Sequence, residues 1–144
     1  MRIGEILDRK GGDVATIRPD ASLHDVLAQL EQRGIGALVV STDGSDVEGI
    51  VTERDLVRVL ARQGAAALDG EVRSIMTATV VTCARDATVD EVMSMMTDSR
   101  FRHVPVVEDG RLAGIISIGD VVKSTIDELE VKARSLESYV TGTY

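Results

Sequence analysis

The chain repeats itself, and no other feature limits its possible folds as much. Gly49-Ile50-Val51-Thr52-Glu53-Arg54-Asp55 and Gly114-Ile115-Ile116-Ser117-Ile118-Gly119-Asp120 share a glycine, two aliphatic residues, a hydroxyl and an aspartate, at an offset of 65. "TIRPDASLHDV" from Thr16 matches "TCARDATVDEV" from Thr82 at an offset of 66, and "RGIGALVV" from Arg33 matches "RFRHVPVV" from Arg100 at 67. The drifting offset predicts two copies of one unit that differ by small loop insertions.

Each copy reads alike. Ser22-x-x-Asp25 and Thr88-x-x-Glu91 are capping boxes. Behind them Leu23, Val26, Leu27, Leu30 and Val89, Val92, Met93, Met96 recur at i, i+3, i+4, i+7, the spacing of an amphipathic helix. Ala37 to Val40 and Val104 to Val107 are short aliphatic strands, each followed by an acidic, glycine-containing turn and by a second strand at Gly49 or Gly114. A second helix follows the hydroxyl. Each half is thus a short strand, a helix, a hairpin and a helix, too small to be robust alone, and two halves packed together can share a core. The small-residue stretch from Gln63 to Gly70 reads as the linker.

Composition removes several classes. A formal net charge of -8 opposes unassisted binding to nucleic acid or anionic membrane, both of which rest on a basic footprint. One Phe, two Tyr and no Trp leave no platforms on which single-stranded bases stack. Cys83, the only cysteine, lies in an apolar run and reads as a buried thiol. There is no signal segment and no apolar run of about 20 residues, so a cytoplasmic protein is expected. No metal-ligand spacing, nucleophile arrangement or phosphate-binding glycine loop appears, and "GIGA" from Gly34 fails the dinucleotide pattern. His24 reads as an exposed helix residue. No site for covalent chemistry is expected.

With "GEILDRKGGDVATI", "IGALVV", "GIVTERDL", "VRSIMTATVVT", "RFRHVPVV" and "GRLAGIISIGDVV" in order, the sequence resembles a tandem pair of cystathionine β-synthase (CBS) domains, a stand-alone Bateman module, over nearly its whole length. The resemblance implies an α+β fold of two CBS domains packed with approximate two-fold symmetry plus a C-terminal helix. Residues 1–66 would be the first domain, 67–128 the second and 129–144 a helical tail. It also implies a regulatory module, not an enzyme, that binds adenosine-containing ligands, AMP, ADP or ATP first among them, in clefts between the domains.

Two readings of the repeated aspartates stand side by side. A hydroxyl three residues before a carboxylate caps a helix, which by itself explains Thr52 with Asp55 and Ser117 with Asp120. A carboxylate also accepts both hydroxyl protons of a ribose, and a helix N-terminus suits phosphate. In the CBS pattern Asp55 and Asp120 would hold ribose, with Thr52 and Ser117 beside it. Before its strand the second half carries Arg100, Arg102 and His103, where the matched first-half positions are Arg33, Ile35 and Gly36. By resemblance Arg102 and His103 would reach ligand phosphate, since guanidinium and imidazolium donate charge-assisted hydrogen bonds; Arg54 is a further candidate. Also by resemblance, Thr16, Ile17, Val81, Thr82 and Ile118 would frame the adenine, although each reads singly as strand or core.

From Val122 to the end, Val122, Ile126, Leu129, Ala133, Leu136 and Val140 recur at steps of four and three, a heptad seam of under three heptads. A helix lying on the module or on a second copy is expected. The resemblance implies a homodimer and an unidentified regulated protein. A ligand-free dimerising module is the competing reading.

Overall fold

A computed structural model of the chain describes residues 1–142. In order, the elements are α1 (Ile3–Lys10), β1 (Thr16–Ile17), α2 (Leu23–Arg33), β2 (Ala37–Val40), β3 (Gly49–Thr52), α3 (Glu53–Gln63), α4 (Val89–Ser99), β4 (His103–Glu108), β5 (Arg111–Ser117) and α5 (Ile118–Thr141). A 3₁₀ turn at Ala65–Asp69 occupies the linker, and a second at Val72–Ser74 opens the second half. β1 runs parallel to β2, which pairs antiparallel with β3; β4 and β5 form an antiparallel hairpin. Among the described residues no helix is long and apolar enough to cross a membrane.

All four predicted N-caps form, three of them as full capping boxes; at Ser22 the box is half made, since Asp25 returns no bond to the Ser22 N–H. The side chains of Ser22, Thr52, Thr88 and Ser117 accept from the backbone N–H groups of Asp25, Asp55, Glu91 and Asp120, satisfying amides that a helix start leaves open. The apolar faces behind them build two aliphatic cores. One holds Leu23, Val26, Leu30, Leu38, Val40, Val51 and Leu56; the other holds Val89, Val92, Met96, Val104, Val106, Ile116 and Val121.

The strand register corrects the sequence alignment. Ile17 faces Val40 and Cys83 faces Val106, so the halves match at 66 through this stretch, and the loop between the hairpin strands then shortens by one to give 65 at the glycine motif. The helix ends agree: Gly34 and Arg100, also 66 apart, both close their helices in the left-handed region, at φ 62° and φ 58°. The counterparts of Arg102 and His103 are therefore Gly36 and Ala37, not Ile35 and Gly36.

Two further differences have physical causes. The expected opening strand of the second half shrinks to one bridge at Cys83. In the first half the Val39 N–H donates to the Ala15 carbonyl, but the counterpart of Val39 is Pro105, which has no N–H to give, so the ladder stops. The chain also begins with a helix, α1, outside the strand-helix-hairpin-helix plan. Its Ile3, Ile6 and Leu7 belong to the second half's core, while Val72, opening the second half, is buried in the first. The exchange is reciprocal bond for bond. Ile3 N–H donates to Ala87 O and Val72 N–H to Ala21 O, both at 2.9 Å, and Val89 N–H donates to Met1 O as Leu23 N–H does to Gly70 O, both at 3.0 Å.

Candidate functional site

The two repeated aspartates occupy matching positions in the first turns of α3 and α5. One oxygen of each carboxylate, Oδ2, accepts from the backbone N–H and the hydroxyl of the capping residue. For Asp55 the donors are Thr52 N at 2.9 Å and Oγ1 at 3.1 Å; for Asp120 they are Ser117 N at 2.8 Å and Oγ at 3.0 Å. Oδ1 of each receives no hydrogen bond from the described residues. Both side chains are half-buried. Each is thus held rigidly by one oxygen while the other stays available as an acceptor.

Asp120 has a partner that Asp55 lacks. Lys10, at the end of α1, places Nζ 2.7 Å from Asp120 Oδ2 and donates also to the Ile115 carbonyl at 2.9 Å. Partial burial pushes the Asp120 carboxyl up, but the hydrogen bonds from Lys10 and Ser117 and the lysine charge outweigh it and hold the group below its ordinary value. No local sequence pattern points to Lys10, since 110 residues separate the pair.

Arg102 and His103 lie beside this motif. The Ile118 N–H donates to the Arg102 carbonyl at 2.8 Å, and His103 pairs with Ser117 across the β4–β5 ladder. Arg102 is exposed, and His103 is half-buried. Burial is the largest influence on the imidazole and, with Lys10 and Arg102 adding to it, holds its pKa below the ordinary value against the attraction of Glu53 and Asp120. Glu53 comes from the other half: its carboxylate and the His103 ring both lie beside Gly36. The backbone of Arg102 and His103 thus runs beside Ser117 and Ile118, and the His103 ring feels Asp120 and Lys10 of this motif and Glu53 of the other half. Arg100 is spent on the helix end, exposed.

The residues proposed for the adenine are scattered by comparison. Thr16 and Ile17 form β1, with Ile17 buried in the first core. Val81 and Thr82 are exposed on the extended segment before Cys83, and Ile118 is exposed at the first position of α5. Arg54 is exposed in the first turn of α3. Cys83 is half-buried, and burial pushes its thiol up to about 11, well away from a reactive thiolate.

Two cavities occupy matching places. One, of about 310 Å³, is lined by Asp55, Arg58, Arg62 and by Ser74 and Ile75 at the opening of the second half. The other, of about 130 Å³, is lined by Asp120, Lys123, Asp127 and the α1 residues Ile6 and Lys10. Arg58 and Arg62 share a helix face with Asp55 at i+3 and i+7, a period legible in the sequence although neither residue lies in a basic run before a strand. The first half thus has its own pair of cations, behind its aspartate rather than ahead of its strand. Among the described residues no group of three or more His, Cys, Asp or Glu is placed to hold a metal ion.

Comparison with known proteins matches residues 3–62 and 72–127 each to the CBS domain model. A mitochondrial CBS domain-containing protein of Arabidopsis thaliana is 33% identical across 99% of this chain and 73% of its own. The crystal structure of a CBS-domain-containing protein of Agrobacterium tumefaciens superposes with a TM-score of 0.84 at 53% identity, covering 87% of this chain and 99% of that one. The CBS domain pair of protein MJ0100, crystallised with 5′-methylthioadenosine and S-adenosyl-L-methionine, superposes with a TM-score of 0.77 at 25% identity, over 87% of this chain and 99% of its own.

Proposed function

The chain belongs to the CBS domain family, and from that premise we propose that it is a regulatory module, not an enzyme, that binds adenosine-containing ligands at Asp55 and Asp120. AMP, ADP and ATP are the leading ligands. The observation that carries the reading is the repeated carboxylate whose Oδ2 is fixed by its helix cap while Oδ1 is unengaged, beside a cavity, in both halves. A ribose offers that oxygen two hydroxyl protons. Thr52 and Ser117 lie next to it, Arg102, Arg54 and the lysine at position 10 supply positive charge for phosphate, and the His103 imidazole can donate a hydrogen bond to it. Thr16, Ile17, Val81, Thr82 and Ile118 are kept as the residues that would frame the base. The adenosine ligands of the MJ0100 pair support the ligand class.

The way such binding is read out follows from the Lys10–Asp120 contact. Lys10 ends α1 and Asp120 starts α5, so a ligand that draws on either group changes the bond between the opening helix and the long one. Coupling requires only that the two arrangements differ in affinity for the ligand. The module acts as a homodimer on an unidentified protein in the cytoplasm, without nucleic acid or membrane as partner; the charge of -8 supports the last point.

One observation favours the competing, ligand-free reading: Lys10 already gives Asp120 a partner of opposite charge. A thermal-shift panel with AMP, ADP, ATP, NADH and S-adenosyl-L-methionine separates the two. A ligand selective for the native state adds about 2.7 kcal/mol at a hundred times its Kd. A rise in melting temperature that climbs with the concentration of at least one ligand is expected; no shift with any of the five would favour the scaffold.

A further inference from the structure

Helix α5 extends beyond the body that anchors it. Its first turns are fixed: Val121 and Ser124 are buried, the Ser124 hydroxyl donates to the Met1 sulfur, and the N-terminal ammonium lies 3.5 Å from Glu128. From Glu128 to Glu137 every residue is exposed. An isolated helix of fewer than about 12 to 15 residues is marginal in water, so this projecting stretch needs a partner. It carries an uncovered apolar ridge, in which Leu129 is 59% exposed, Leu136 66% and Val140 82%. At about 100° per residue the ridge lies roughly a third of a turn from the docked face of Val121, Ser124 and Glu128, so α5 presents both faces at once.

We infer that a second copy of the chain covers this ridge, with the two α5 helices running parallel as a short two-stranded coil. The inference rests on the homodimer proposed above and adds its surface and direction. With Ile126, Ala133 and Val140 at the a positions and Val122, Leu129 and Leu136 at d, β-branched residues flank the a seam and leucines fill d, the combination that suits two parallel strands. Lys132 is then at g and Glu137 at the following e, so each Lys132 faces the partner's Glu137, twice across the axis. Neither residue makes an ion pair within the chain among the described residues. In the antiparallel arrangement with the same ridge buried, Lys132 would meet Lys132 and Glu130 would meet Glu130, which repel.

Two sets of variants test this. In a Cys83→Ser background, Val140→Cys should form a disulfide-linked dimer under mild oxidation, as should Val122→Cys. Efficient linkage only when the two variants are mixed would mean antiparallel helices and overturn the proposal. By analytical ultracentrifugation, Leu129→Glu with Leu136→Glu should weaken the dimer by about a hundred-fold or more, because two buried leucines per chain become charged. Lys132→Glu should weaken it more modestly, and Lys132→Glu with Glu137→Lys should restore it. These side chains are exposed in the single chain, so its melting transition should survive and report that the fold is intact. A dimer unmoved by the double glutamate change would leave the homodimer standing and remove α5 as its contact. A wild-type monomer at tens of micromolar would remove both.

Discussion

An aspartate in the first turn of a helix serves its helix with one oxygen and has a second to give; Asp120 caps α5 through Oδ2 and leaves Oδ1 without a hydrogen bond from the described residues. Replacing it with Ala removes a cap and, if ribose binds, a charged acceptor. We predict a loss of about 1.5 to 3 kcal/mol in nucleotide affinity, the range for hydrogen bonds to charged groups. A fall in melting temperature with unchanged affinity would reduce Asp120 to a cap. His103 yields a prediction for the free protein. Its folded pKa lies below the ordinary imidazole value, so between the two the unfolded chain holds a proton that the folded chain lacks. Its contribution to stability is therefore complete above about pH 6.5 and declines as pH falls through that value toward the folded pKa. Asp120, with a lowered carboxyl pKa, loses its contribution only below about pH 4, outside this window. Denaturant unfolding at pH 7.5 and pH 6 should show the drop in wild type and a smaller one in His103→Gln. An equal drop in both would contradict the burial argument.

At the scale of elements, most of the fold was legible because its signals are local. A hydroxyl and a carboxylate three apart, followed by an apolar face, specify a helix start without help from elsewhere, and all four such starts formed. The strand at Val80 to Cys83 was not legible by the same route, since its failure depends on Pro105 in a neighbouring strand. The pairing of Lys10 with Asp120 is longer-range still. Arg58 and Arg62 were readable by helical period. The helix ends provide a clean test of register: Arg100 occupies, without being glycine, the left-handed position that Gly34 fills in the other half. A side chain costs about 1 kcal/mol there, partly offset by the greater freedom of glycine in the unfolded chain. Arg100→Gly should accordingly raise stability by up to about 1 kcal/mol, and Gly34→Ala should lower it by a similar amount, by thermal or denaturant unfolding. A loss of stability in Arg100→Gly would show that the side chain has a role in holding the helix end.

For the whole molecule, the exchange of opening segments makes the two repeats one cooperative body rather than two beads. Leu7, in α1, is 2% exposed, sits in the second half's core and lies so close to Gly114 that a Cβ there would meet it at 2.6 Å. Leu7→Ala should cost about 2 to 5 kcal/mol, the range for a buried leucine, and hydrogen exchange should speed up most in α4, β4 and β5, far from α1 in sequence. Loss of protection concentrated in α2 and β2 would contradict the exchange. The same architecture places the two aspartates in equivalent but unequal surroundings, one against Lys10 and one beside Arg58 and Arg62. The central claim, that these repeated carboxylates hold an adenosine-containing ligand, is tested most directly by titration calorimetry. The ligand that most stabilises the protein should be measured against wild type, Asp55→Ala, Asp120→Ala and the double variant, each shown to be folded by its melting transition. Binding should weaken in each single variant and vanish in the double one; undiminished affinity in a folded double variant would mean that the carboxylates only cap their helices.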